Sequence, residues 1–366
     1  MKKIYKHTII IIIVIFIGVF AIFKIQINTN QTNIGIILPL SGNMAFIGED
    51  MKRGIDLAFK DRTDFNIIYE DNQGDTAKAV SSYHTLQNTY SPDVIISGSA
   101  GDLALIPLAE NDKTPLILTN SSASGLPSKG DYIFRYFTSA DYDAPAIASY
   151  ARDVMNLDTI SVIYVKDQFG IDYKNIFSKT FEEKGGNITS IESFTYQDYD
   201  YRSLLIKIKE DNPDGIYLVG LDYQLSAMLQ QIKDLGITSQ VLSLGTIATK
   251  DAIEKTGNAI EGVYTNSFCT DGSPENYVTQ FKETYSSYPG FFSELGYDIG
   301  KMIIKSAENN KEKEHIRENL LNTKDFQGNA GIISADKNGE MVIPLCIKKI
   351  TDGKIFNTVT KKYSNY

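Results

Sequence analysis

From Ile34 onward one pattern constrains the fold more than any other. Short apolar runs alternate with longer segments of helical period. Ile34–Leu38, Phe65–Tyr69, Val94–Ile96 and Leu116–Leu118 read as strands, and Gly48–Asp61, Thr76–Asn88 and about Asp102–Asn111 as helices. Such alternation specifies βαβ units on a parallel sheet, and the apolar strands fit a sheet covered on both faces. Lys129–Ala140 interrupts the rhythm and reads as a crossing between domains. The pattern then restarts, with strands at Ile160–Val165, Ile188–Phe194, Ile216–Val219, Val241–Leu244 and Val263–Asn266. Helices are expected at Tyr142–Met155, Tyr173–Lys184, Tyr201–Glu210 and Asp222–Leu235. The fold expected is therefore α/β, with two doubly wound parallel-sheet lobes written in tandem. A helical region follows Phe268, with helices at Pro274–Ser286 and Glu294–Glu308, and then short strands and turns from Phe326.

In such sheets ligands bind outside the carboxyl ends of the strands. The loops at those ends are Leu40–Gly48, Ser97–Gly101 and Thr119–Ser124 in the first lobe. In the second they are Asp167–Gly170, Gly220–Tyr223 and Gly245–Ala248. Two facing lobes would bring all six into one cleft, and pockets favour domain interfaces. Ser99 and Ala100 sit in one loop, and Asn120, Ser121 and Ser122 in another. Serine and glycine are also ordinary turn residues, so neither loop alone specifies a site, whereas the pair together points to one. Asp102 is placed to cap the following helix, whose free N–H groups attract a carboxylate. With Asp222 and the aromatics Phe46, Phe169 and Tyr223, the inventory suits a small polar or zwitterionic ligand.

Other chemistries lack their residues. Ser99 lies in SGSAG, which fails the G-x-S-x-G pattern at its first glycine. Only three histidines occur. His84 and His315 read as solvated helix surface and His7 precedes the fold, so a Ser–His hydrolase is unsupported. No His/Cys cluster supports a metal, and no G-x-G-x-x-G follows a strand, so no cofactor is expected. The net charge of −9 argues against nucleic acid. The two cysteines, Cys269 and Cys346, form no framework. One disulfide is possible, but both are read here as buried small hydrophobes.

The N-terminus reads as an address. Lys2, Lys3 and Lys6 precede an apolar run of 15 residues, Ile9–Phe23, closed by Lys24. This orients the remainder outside the cytoplasm. No A-x-A-like site and no cysteine follows, so an uncleaved membrane anchor is expected, with a polar linker to residue 32.

Eight stretches in order carry a resemblance. Among them are IGIILPLSGNMAFIGEDMKRGIDLA (34–58), YEDNQGDTAKAV (69–80), DVIISGSAGDLALIPLAENDKTPLIL (93–118), YIFRYFTSADYD (132–143) and FQGNAGIISADKNGE (326–340). The chain resembles the leucine/isoleucine/valine-binding protein family, the amino-acid and amide branch of type I periplasmic binding proteins, over about residues 33–350. The resemblance implies two lobes joined by a three-strand hinge. Lobe 1 would comprise 33–138 plus 268–325, and lobe 2 would comprise 139–267 plus 326–366. It implies capture of a small amino-acid-like or amide-like ligand between the lobes and delivery to an ABC permease. An alternative is a membrane-tethered sensor of the same fold. By resemblance Ser99, Asn120 and Ser122 hold a carboxylate, and Phe169 replaces a usual tyrosine. The first-lobe aromatic position falls at Ile47, beside Phe46. The loop 244–247 lacks the family's acidic residue for an ammonium group, and Asp222, one loop earlier, is the substitute.

Overall fold

The computed structural model describes residues 31–98, 101–123, 125–269 and 274–358. The N-terminal run read as an anchor lies outside them. No helix among the described residues is long and apolar enough to cross a membrane.

The first sheet is built from β1 (Thr32–Leu38), β2 (Phe65–Asp71), β3 (Val94–Ser97), β4 (Leu116–Leu118) and β5 (Ile133–Arg135). Between them run α1 (Ala45–Phe59), α2 (Thr76–Tyr90) and α3 (Asp102–Asp112). All pairings are parallel, in the order β2-β1-β3-β4-β5. Residues 34 and 36–38 of β1 are fully buried, as expected of a strand covered on both faces. In α1, Ile47, Met51, Ile55 and Ala58 recur at helical spacing and enter the core. The Asp75 carboxylate starts α2 by accepting the Lys78 N–H at 2.9 Å.

The second lobe repeats this plan. Its elements are α4 (Ala140–Asp153), β6 (Thr159–Val165), α5 (Gln168–Glu183), β7 (Asn187–Phe194), α6 (Arg202–Asp211) and β8 (Gly215–Val219). There follow α7 (Asp222–Asp234), β9 (Gln240–Ser243), α8 (Lys250–Thr256) and β10 (Tyr264–Phe268). The parallel order β7-β6-β8-β9-β10 matches that of the first sheet. The strand order thus reverses direction between β1 and β3, and again between β6 and β8. These are the switch points where doubly wound sheets open a crevice.

The chain then returns to the first lobe through α9 (Glu275–Tyr285), α10 (Phe291–Ser306) and α11 (Lys313–Leu321). Leu295, Ile299, Met302 and Ile303 of α10 join the core that α1 lines. Next come β11 (Phe326–Gly328), β12 (Gly331–Ala335), β13 (Met341–Val342), β14 (Leu345–Thr351) and β15 (Lys354–Asn357). β14 and β15 extend the second sheet antiparallel. Phe326, Ala330, Ile333 and Met341 pack into the first core, although the sequence assigns residue 326 onward to lobe 2. We propose that the last crossing lies between Val342 and Leu345.

The charged run around His315, read as solvated helix surface, is α11, which buries only Ile316 and Leu320. One helix escaped the sequence reading, the short α8 capped by Thr249. The cysteine reading is corrected as well. Cys269 and Cys346 form a disulfide with Cα atoms 4.9 Å apart. Their separation of 77 residues hides the fact that β10 and β14 are adjacent and pair Phe268 with Leu345.

A buried ion pair ties the crossings together. Arg135 is 1% exposed, and its Nε and Nη2 donate to Glu340 at 2.8 and 2.6 Å. Its backbone N–H donates to Gly339 O at 3.0 Å. Glu340→Ala would leave this guanidinium buried without its counter-charge. Urea denaturation should show a loss of about 3–5 kcal/mol. Replacing both cysteines by serine should cost about 2–4 kcal/mol in the same assay, through the long loop that the disulfide closes.

Candidate functional site

The site begins where the first-lobe strands end. β3 finishes at buried Ser97, whose hydroxyl donates to Asp102 Oδ1 at 2.7 Å. Asp102 is the first residue of α3, and Gly101 before it is the N-cap. Gly101 has φ +107°, and a Cβ there would lie 2.8 Å from Ala79 Cβ, so only glycine fits the turn. Ser99 and Ala100 lie outside the described residues. β4 leads into Thr119, whose hydroxyl meets Met51 Sδ at 3.0 Å, and then into Asn120, Ser121 and Ser122. This loop is held from behind. Arg135 Nη1 donates to the carbonyls of Ser121 and Ala123, and the Ala140 N–H donates to Ser122 O at 3.2 Å.

The second lobe contributes the matching edge. After β6, Asp167 Oδ1 accepts the Gly170 N–H at 2.8 Å and Oδ2 accepts the Tyr196 hydroxyl at 2.6 Å. This cap starts α5 at Gln168, five positions before the helix start read from the sequence. Gly170 allows the close turn, because a Cβ there would lie 1.9 Å from Val165 O.

Between the two edges lies a cavity of ≈ 840 Å³. Asn120, Ser121, Ser122, Phe169 and Tyr223 all line it, with Gly101 and Asp102. Phe46 stands beside it. Its ring meets the Tyr223 edge from the opposite lobe, with centroids 5.6 Å apart and planes at 83°. Ile47, its neighbour, lines the wall. Asp222 opens α7, its carboxylate accepts the Tyr223 N–H at 2.7 Å, and it is not among the lining residues.

The crossings supply lining residues that sequence reasoning missed. Phe137, Phe268 and Phe291 form an apolar wall. Phe268 stacks on Phe291 at 5.3 Å, and Phe137 approaches Phe291 edge-on at 6.3 Å. Asp143, Asn266 and Thr246 add polar groups from lobe 2. Of these only Thr246 lay in a loop the strand-end rule selects. Asp143 sits on α4 and Asn266 inside β10, positions that the rule does not cover. The lining carries four carboxylates, Asp102, Asp143, Asp167 and Asp172, and no Lys, Arg or His among the described residues. Burial pushes the Asp143 carboxyl up to about 6, against the hydrogen bond it accepts from the Tyr173 hydroxyl at 2.6 Å. Burial likewise raises the Tyr173 and Tyr196 hydroxyls. No group of three or more metal-ligating side chains occurs among the described residues.

The periplasmic binding protein family model matches residues 31–354. The chain belongs to the periplasmic binding protein family. Members of this family are solute-binding proteins rather than enzymes. The binding protein is 24% identical over 242 residues to the leucine-, isoleucine-, valine-, threonine- and alanine-binding protein of Pseudomonas aeruginosa, a match covering 63% of this chain and 64% of that relative. Its fold superimposes on the branched-chain amino acid transporter substrate-binding protein LivJ of Streptococcus pneumoniae, solved with isoleucine. The TM-score is 0.79 at 22% identity, over 89% of this chain and 97% of that one. A solute-binding protein of an ABC transporter from Rhodopseudomonas palustris, solved with 3,4-dihydroxybenzoic acid, gives 0.80 at 21% identity, covering 90% and 96%.

The Ser97–Asp102 bond anchors the first-lobe floor of the cavity. Ser97→Ala deprives a buried carboxylate of a hydroxyl donor. It should lower stability by about 1.5–3 kcal/mol in denaturant titration.

Proposed function

We propose that this binding protein captures a small amino-acid-like or amide-like ligand outside the cytoplasm and delivers it to an ABC importer. One observation carries the reading. The carboxyl edges of two parallel sheets with the same strand order meet across a single cavity, which has polar groups on both lobes and an aromatic wall at the crossings. In this reading the α3 N-terminus, with Asn120, Ser121 and Ser122 of the next loop, receives the anionic or carbonyl end of the ligand. Ser99 and Ala100 belong to the same loop as that N-terminus. Phe169 and Tyr223 pack on its body, and Phe46 braces Tyr223 from the other lobe. The solute-binding role of the family supports the permease partner and the extracytoplasmic location in this reading. The amino-acid and aromatic ligands of the similar proteins set the range of candidates.

The test is thermal unfolding of the full-length chain against amino acids, amides, short peptides, aromatic acids, nucleobases and sugars. A ligand at 100 times its Kd should stabilise by roughly 2.7 kcal/mol and raise the melting temperature by several degrees. A hit among amino acids or amides supports the reading. A hit confined to sugars or nucleobases sinks the ligand class, and stabilisation by none of them removes the solute-capture role.

A further inference from the structure

The four carboxylates of the cavity are not equivalent. Asp167 is satisfied by the Gly170 N–H and the Tyr196 hydroxyl. Asp102 is held by Ser97, and Asp172 accepts from Gln168 Nε2 at 2.7 Å on the outer turns of α5. Asp143 differs. It is 5% exposed, Tyr173 donates to its Oδ2 and the Thr138 hydroxyl lies close enough to favour the ionised carboxylate, yet its Oδ1 is buried with no well-formed hydrogen bond of its own. Beside it is a second acceptor in the same condition. Asn266 is 3% exposed and donates Nδ2 to the Asp143 backbone carbonyl at 3.1 Å. Only the amide nitrogen can donate there, so the oxygen end is fixed, and Asn266 Oδ1 is likewise buried and unpartnered. Thr246 Oγ1, also lining the cavity, is a third such atom. Buried polar atoms are nearly always paired in native proteins, so adjacent orphaned acceptors on a cavity wall call for a donor. The lining offers no basic side chain to supply one.

We propose that Asp143 and Asn266, assisted by Thr246, are the acceptors of a cationic nitrogen carried by the ligand. The assignment rests on the solute-capture reading and narrows it to ligands bearing an ammonium or similar group. It places that group on lobe 2, across the cavity from the α3 N-terminus. An ammonium has three donors and no acceptor, so it matches three acceptors and needs none of the cavity's N–H groups. It also offsets the negative sign of the lining.

The groups facing Asp143 are few. They are Tyr173 from α5, Tyr217 from β8, Thr138 from the crossing and, through charge, Arg135 on β5. With its ordinary value raised to about 6, the Asp143 carboxyl is ionised at neutral pH and protonated in mild acid. A cation binds the ionised form. Affinity should therefore hold above about pH 7 and fall about tenfold by pH 5.

The experiment measures binding to the full-length protein by calorimetry with two matched sets. One is L-phenylalanine, 3-phenylpropanoate and 2-phenylethylamine. The other is L-leucine, 4-methylpentanoate and 3-methylbutylamine. Wild-type protein should bind an amino acid at least about tenfold more tightly than the acid lacking its nitrogen. Asp143→Asn should abolish that preference, and Asn266→Ala should weaken amino-acid binding severalfold. The wild-type pH profile gives the same readout should either variant fail to fold. Amines binding as tightly as amino acids support this assignment and remove the anion role of lobe 1. Binding of the nitrogen-free acids alone, or an Asp143→Asn protein indistinguishable from wild type, overturns the assignment and leaves solute capture standing. If wild-type protein binds none of the six, the amino-acid reading and this assignment fall together.

Discussion

The guanidinium of Arg135 is the interaction on which the arrangement around the cavity depends. It is buried, and a buried charge is tolerated only when it is paired and its donors are used. Here Nε and Nη2 grip Glu340, while Nη1 reaches the carbonyls of Ser121 and Ala123. One side chain thus joins β5 at the first crossing, the loop after β4 that lines the cavity, and the turn before β13 near the last crossing. These three stretches are far apart in sequence, since Arg135 and Glu340 are 205 residues apart. The loop at Asn120–Ser122 therefore owes its path to the crossings as much as to the strand that precedes it.

The repeated strand order explains why a cavity forms there at all. Each sheet opens its crevice at a switch point, β1/β3 in one lobe and β6/β8 in the other. Helix starts accompany both, α3 at Gly101–Asp102 and α5 at Asp167–Gln168. The crossings run between these edges, and their residues must be apolar where they are covered by both lobes. Phe137, Phe268 and Phe291 meet this requirement, with Phe291 in ring contact with both of the others. The Cys269–Cys346 bond lies at the end of the same wall, next to the Phe268–Leu345 pairing. The aromatic wall is thus a consequence of how the lobes are connected, while the polar groups are a consequence of how each sheet ends.

That distinction also separates what the sequence displays from what it hides. Strand-end loops are legible because period and turn chemistry mark them, and Asn120, Ser121, Ser122, Phe169 and Tyr223 come together at one cavity as their loops predict. Helix and strand positions are legible where an apolar face repeats. They fail where the element is short, as at α8, whose seven residues are too few to repeat an apolar face. Asp222 illustrates a further limit. Its position at a strand-end loop is right for a site, yet its carboxylate turns back to the adjacent Tyr223 N–H, a choice made by one helical turn. Asp143, Asn266 and Phe291 carry no local signal, because they reach the cavity through tertiary contacts, such as the Asn266–Asp143 bond across 123 residues and the packing of Phe291 on Phe137. The segment 326–343 is hard to place in sequence for the same reason. Its short strands show no preference for either lobe until Phe326 and Ile333 find the core of α1 and α10.

The charge of the cavity adds a constraint that fold similarity cannot supply. Proteins of this fold hold ligands as different as isoleucine and 3,4-dihydroxybenzoic acid. A ligand that is only an anion would enter this cavity facing four carboxylates and no basic side chain among the described residues. Helix starts offer partial positive charge, about half an elementary charge each, and their reach ends within the first turn. Both helix starts here already have a carboxylate beside them, Asp102 at α3 and Asp167 at α5. The net field of the lining therefore favours a positive group, and a carboxylate is tolerated best when the same molecule brings its own cation.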